Sequence, residues 1–518
     1  MIRSRFATCP AVVGNRLVWL TLILSLPLIG AAMPQTGAIL PLPKVTVTGP
    51  IALTTPLRNP EHGYPYNATP MDLERQGYVE QEFFIEGQAN TYDTPAGRTG
   101  SVKESGYPFR TRLVVRRPRS AAKFNGTVIV EWYNVSQGHD GEYDWFQSAE
   151  HIVGAGYAWA GISAQRVGVD ALREWSPKRY GSLDVSDGGK ITDDSLSYDI
   201  FSSAAVAILG KGSAEVMGGL KPARLIAIGH SQSAARLYTY FQSVHPLIPK
   251  LYDGVVLHGG GGKVRDDLDV KVFKLLNETD VAGQANFRQP DTDRYRQWEV
   301  AGTSHLDAKF SRMLAALGLR VSGMDPVEGS QDITGDTISG GVGNGPAGNG
   351  EGNASSATCK NPPFSRIPGH YVLNALLDET AQWVKNGTPP PTATHIELRE
   401  LPPLPAGARG TGAPRWEVVH DELGNAHGGI ELSQHAVPTA TNTGQNEGGA
   451  GGGEQNCNLM GSYLAWDTAR LASLYPTHAG YVAKVKEVTE KNLKAGYILK
   501  EDADATIAEA ERSSIGKR

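Results

Sequence analysis

Cysteine is nearly absent from this chain: three residues among 518, at Cys9, Cys359 and Cys457. With so few, and with scattered histidines, no zinc-ligand spacing can be assembled. No charge of one sign dominates either, with 49 basic against 54 acidic residues and a formal net charge of −5. A mildly acidic protein has no electrostatic case for holding nucleic acid. Long hydrophobic runs are missing too. The uncharged stretch Leu17–Ile29 is short for a membrane span. There is no internal repeat. A phosphate loop is also excluded: Gly259-Gly-Gly-Gly-Lys263 has Leu257 where the first glycine should stand and Val264 after the lysine. That run reads as a tight loop leaving a strand.

The N-terminus carries Arg3, Arg5 and Arg16 and no acidic residue, then the apolar stretch, then Gly30-Ala31-Ala32. This is the layout of a secretory signal over residues 1–32, with an uncleaved anchor as the alternative. Losing those three arginines leaves 46 basic and 54 acidic residues, a net of −8. No stable membrane insertion is expected after cleavage, and the expected location is secreted or periplasmic. In an oxidising compartment Cys359 and Cys457 could form a disulfide. The alternative is two separate buried thiols.

Strand-like stretches occur at Tyr78–Gly87, Phe109–Arg117, Thr127–Trp132, Tyr157–Ile162, Leu225–Ile228, Tyr252–Leu257, Val270–Leu276 and Arg296–Ala301. The first two suggest an antiparallel pair. The rest alternate with helical stretches such as Tyr198–Leu209, which implies βαβ units. The expected fold class is α/β: a mostly parallel central sheet with helices on both faces, glycine-rich insertions and a C-terminal helical extension. The insertions are 326–357 and 439–455, both read as flexible. Residues 33–518 are read as one elaborated domain. Tyr371–Lys385 is an amphipathic helix that His370 opens, in a cap or surface role. Trp466–Arg512 reads as two or three helices.

The most informative segment is Arg224–Phe241. Leu225-Ile-Ala-Ile228 is a continuous apolar run, as in a strand covered on both faces. Ala234, Leu237, Tyr238 and Phe241 follow at helical spacing. Between them Gly229-His-Ser231-Gln-Ser233 is close to the G-x-S-x-G nucleophile elbow of α/β-hydrolases, with Ser233 in place of the second glycine. The turn exposes the Ser231 hydroxyl and leaves the Gln232 N–H free to bind an oxyanion.

A serine nucleophile needs a general base, and the base needs an orienting acid. In this class the chain order is Ser, then Asp or Glu, then His, each after a strand. Asp280 follows the strand ending at Leu276, and His305 follows the strand ending at Ala301. Asp280 is the favoured acid and Glu278, nearer the strand, the alternative. His230 should point away from a shared substrate face, and His258 is a candidate for lining the pocket. The second oxyanion donor is assigned to the Asn134–Val135 backbone without choosing between the two N–H groups. No metal or organic cofactor is required.

The succession VIVEWYNVS, GYAWAGISAQ, GHSQSAARLYTYF, LLNETDV, WEVAGTSH, HYVLNALLDETAQWVKNGTPPP, ELGNAHGGI and CNLMGSYLAWD resembles bacterial α/β-hydrolase-domain proteins of the Abhydrolase_10 type. The resemblance runs from about Tyr78 to Gly516 and implies a single elaborated hydrolase domain with its C-terminal segment wrapped around the core. ETDV and GTSH also resemble the acid and histidine loops of cutinase-like polyester hydrolases, which supports Asp280 and His305. The expected activity is carboxylic ester hydrolysis on a small-molecule or polymeric substrate. The alternatives are acyl transfer, amide or polyester hydrolysis by the same triad, or a non-catalytic binding protein on this fold. Oligomeric state is not readable from the sequence.

Overall fold

A computed structural model describes residues 39–57, 59–212, 215–321, 359–404, 414–449 and 454–517. The segment expected to be a signal, 1–32, and the expected insertion 326–357 lie outside the described residues.

Nine strands follow one another along the chain: β1 (Val45–Thr48), β2 (Tyr78–Asp93), β3 (Ser101–Pro118), β4 (Thr127–Trp132), β5 (Ala158–Ile162), β6 (Arg224–His230), β7 (Gly254–His258), β8 (Lys271–Asn277) and β9 (Tyr295–Val300). They form one sheet in the order β1-β2-β3-β5-β4-β6-β7-β8-β9. Pairing is antiparallel from β1 through β3 to β5, and parallel from β5 through β9. The expected antiparallel pair is longer at both strands than the sequence suggested.

Side chains alternate between two cores, as the period of a strand requires. Val128, Val130, Leu225, Ala227, Val255 and Leu257 enter one core, together with the helices Ser197–Ile208 and Gln232–Thr239. Ile129, Ile226, Ile228 and Val256 enter the other, under the helices Tyr143–Gly154 and Gly369–Asn386. Both faces being covered is why these strands read as unbroken apolar runs. Each fully buried Ile or Leu contributes about 1.5–3 kcal/mol. His370 is a correction: it sits at the start of its helix but is buried, its ring 4.7 Å from that of Tyr371.

The antiparallel edge buries charge. Arg112 and Arg116 of β3, four residues apart and on one face, have fully buried side chains. Arg112 pairs with Asp140 at 3.2 Å, and Arg116 with Glu142 at 2.5 Å and Glu80 at 2.7 Å. The Arg116 guanidinium also lies 4.4 Å from the ring centres of both Trp145 and Trp159. Asp140 and Glu142 belong to the loop after β4, so these pairs fasten that loop to the sheet.

Three helices close the chain, Thr468–Leu474, His478–Lys494 and Lys500–Arg512. The 439–455 insertion is corrected in part: Ala440–Thr443 is a strand paired antiparallel with Ser462–Ala465. Threonines and short side chains alternate there, and a Cβ on Gly444 would meet the Thr279 N–H and the Glu278 side chain. Cys359 and Cys457 form a disulfide across 98 residues. Among the described residues no helix is long and apolar enough to cross a membrane.

Replacing Arg116 by Ala leaves Glu142 buried without its partner. We expect a loss of about 3–5 kcal/mol, read from the urea unfolding curve. A loss below about 1 kcal/mol would show that the buried pairs do not hold this edge.

Candidate active site

Ser231 sits between β6 and the helix Gln232–Thr239 with φ 58° and ψ −114°. A side-chain-bearing residue avoids this region, at a cost of about 1–3 kcal/mol unless the surroundings enforce it. Here they do. The Ser231 N–H donates to the His258 carbonyl at 2.7 Å. A Cβ on Gly229 would lie 3.0 Å from Leu237 and Ser233, so the strand can approach the helix only without one. Ser233 is fully buried and its hydroxyl donates to the His230 carbonyl at 2.9 Å. Serine therefore replaces the usual second glycine at no polar penalty.

The helix Glu278–Gln284 begins with a capping box: Asn277 and Asp280 each bond the other's backbone N–H. Asp280 uses Oδ2 for the Asn277 N–H at 3.0 Å, and its Oδ1 lies 2.6 Å from His305 Nδ1. Burial pushes the Asp280 carboxyl up, but the His305 ring and the hydrogen bonds to it outweigh this and hold it below the ordinary carboxylate range. The His305 N–H is fixed by Thr279 Oγ1 at 3.1 Å.

The turn after β7 joins the two halves of the site. Gly259 has φ 66°, and a Cβ there would meet His305 Cε1 at 3.0 Å and Asp280 Oδ2 at 3.3 Å. A Cβ on the next residue, Gly260, would meet the Ser231 carbonyl at 2.9 Å. The His305 ring also packs at 4.3 Å on His230, the chain neighbour of Ser231. Serine elbow and histidine thus meet across a turn that admits no side chain. The glycine run that mimicked a phosphate loop has this packing role.

Glu278 is placed differently. It is fully buried, with Oε2 accepting the Gly302 N–H at 2.7 Å and Oε1 accepting the Gly444 N–H at 2.9 Å. Oε1 also lies 3.1 Å from His420 Nε2. Of the two carboxylates weighed in the sequence, only Asp280 is bonded to the His305 ring. Glu278 ties the histidine loop to a strap that includes residues 439–449 and 457–465. That strap also bonds Leu306 N–H to the Leu459 carbonyl at 2.8 Å, and Thr279 Oγ1 to the Gly444 carbonyl. Sequence reading missed this hub, because its partners lie 142 and 166 residues away.

On the opposite side, the Asn134 N–H donates to Gly141 at 3.1 Å and its side-chain amide donates to the His230 carbonyl at 2.8 Å. The Val135 N–H has only a 3.4 Å contact with Gln232 Oε1. The Gln232 N–H opens its helix, where no intrahelical acceptor exists. Val135 and Gln232 are therefore the two N–H groups of the candidate oxyanion hole, and Asn134 holds the loop against the elbow. His258 is buried and bonded through Nδ1 to Asp144 at 2.8 Å. Among the described residues, no three His, Cys, Asp or Glu side chains are grouped to hold a metal ion.

The hydrogen bond and charge of Glu278 outweigh burial and raise the His420 pKa above its ordinary value. Stability from this pair is complete below about pH 6.5 and is lost as pH rises through the raised folded pKa. The melting temperature of the wild type should therefore exceed that of His420→Gln most at pH 6, with the gap narrowing toward pH 9. A gap that is constant with pH would contradict the pairing.

Comparison with known proteins gives no match among curated sequences. Solved structures similar to the chain include XC6422 of Xanthomonas campestris, an α/β serine hydrolase without a lid, at 13% identity and TM-score 0.27, covering 46% of this chain and 93% of that one. An α/β serine hydrolase homologue from Coxiella burnetii shares 10% identity over 42% of this chain and 93% of its own, with TM-score 0.25. A glucuronoyl esterase from Solibacter usitatus shares 11% over 43% and 76%, with TM-score 0.23. Likeness this low speaks to neither activity nor substrate. The alpha/beta hydrolase domain model matches residues 47–508, and the chain belongs to that family.

Proposed function

We propose that this protein is an exported serine hydrolase that cleaves carboxylic esters, small or polymeric, through an acyl-enzyme. The observation that carries the reading is the 2.6 Å bond between His305 Nδ1 and Asp280 beside a serine held at positive φ. With Nδ1–H engaged by the carboxylate, His305 presents Nε2 as the base. It takes the proton of Ser231 as Oγ attacks the ester carbonyl, while Asp280 fixes the tautomer and stabilises the imidazolium. The Gln232 and Val135 N–H groups receive the oxyanion as the carbonyl becomes tetrahedral. The imidazolium then protonates the leaving alcohol. Water, deprotonated by the same ring, attacks the acyl-serine, and collapse releases the acid and restores Ser231. The disulfide and the signal-like N-terminus support export to an oxidising compartment.

Purified protein should hydrolyse p-nitrophenyl esters and react with a fluorophosphonate probe. Ser231→Ala should abolish both. Asp280→Asn should lower kcat by about 10³–10⁴-fold, since it removes the tautomer control. Glu278→Gln leaves the His305–Asp280 bond in place and should lose less. A wild-type protein that neither turns over esters nor takes the label would favour a binding protein instead.

A further inference from the structure

Behind His305 lies a second group of buried titratable side chains that the proposed reaction does not use. His230 is 3% exposed, and its ring centre is 4.3 Å from His305, 4.5 Å from His258 and 5.5 Å from Tyr143. Its Nδ1 has no hydrogen-bond partner among the described residues, and its ring bonds the His305 main chain. Burial, then the two neighbouring histidines, push its pKa well below the ordinary value. His258 in turn is fixed by Asp144 at 2.8 Å, and the Asp144 N–H is held by Glu131 at 3.0 Å. The His230 main chain is anchored separately, its carbonyl accepting from Asn134 and Ser233. The bonds that anchor the His230 carbonyl do not involve its ring, which packs against one side of the His305 imidazole.

We infer that His230 is a positioning residue for His305: its ring, backed by His258 and Asp144, holds the His305 imidazole between Asp280 and Ser231. The inference rests on the reading of His305 as general base. A neutral ring serves this purpose where a charged one would not. An imidazolium on His230, about 4 Å from His305, would oppose the positive charge that His305 acquires during proton transfer. His258–Asp144 supports the wall by locking the ring on which His230 packs edge to face. Displacing a reacting group by about 1 Å costs up to about 100-fold in rate.

The test compares His230→Ala and His230→Phe with wild type on a p-nitrophenyl ester, together with the far-downfield proton resonance of the His305–Asp280 hydrogen bond. The Ala variant should lose about 10- to 100-fold in kcat with KM changed by less than about twofold, and its downfield resonance should broaden or move. The Phe variant, which restores a ring of similar size, should recover most of the kcat and the resonance. A folded Ala variant with wild-type kcat overturns the inference. So does a loss that appears in KM rather than kcat, which would put His230 against substrate. Should the Ala variant fail to fold, the Phe variant decides: near-wild-type kcat and resonance support the inference, and loss of both at a wild-type melting temperature overturns it. Ser231→Ala and His305→Ala separate the two readings. If they keep turnover, the triad reading fails; if they abolish it while His230 variants are silent, only this inference fails.

Discussion

The backbone at Ser231 is the constraint on which the rest depends. A non-glycine residue held at φ 58° does not stay there unaided. Three features offset the cost: the bond from the Ser231 N–H to His258, the bare Cα of Gly229 beneath the helix, and the Ser233 hydroxyl on the His230 carbonyl. Because β6 and β7 are paired in register up to His230 and His258, the same sheet geometry that bends the chain at Ser231 also launches the Gly259–Gly260 turn toward His305. Ser231 and the glycine turn that packs on His305 thus leave the ends of adjacent strands.

The acid and histidine loops need support from outside the sheet. Asp280 helps itself, because the oxygen not facing His305 closes a helix cap on Asn277. Glu278 does the rest by gathering backbone N–H groups from the histidine loop and the strap around one buried carboxylate. A carboxylate with backbone donors on both oxygens is well satisfied despite full burial. The Cys359–Cys457 bond anchors that strap two residues before Leu459, whose carbonyl accepts the Leu306 N–H next to His305.

Much of this was legible from local pattern. The elbow announced itself by an apolar strand, small residues and a helical repeat within eighteen positions. Asp280 and His305, which the structure joins through a 2.6 Å bond, were paired in the sequence by chain order after strands. The α/β class followed from alternating strands and helices. What escaped was set by contacts between distant segments. Nothing near Gly444 says that it must pack on Thr279, so 439–455 read as loose glycine-rich chain although Ala440–Thr443 is a strand. Glu278 and Asp280 are both carboxylates in one loop, and only the direction of the short helix separates their partners. The Asn277-x-x-Asp280 spacing was a cap signature that would have placed Asp280 on a first helical turn. His370 read as a cap or surface residue because burial of a histidine depends on partners that periodicity does not reveal.

The central claim is that Ser231, His305 and the Gln232 and Val135 N–H groups converge on one carbonyl. A crystal structure of the protein inactivated by a small phosphonate ester tests it most directly. The account predicts phosphorus bonded to Ser231 Oγ, with the phosphoryl oxygen within about 3 Å of both N–H groups and His305 Nε2 facing the ester oxygen. An adduct on another side chain, or a phosphoryl oxygen turned away from Gln232 and Val135, would contradict it.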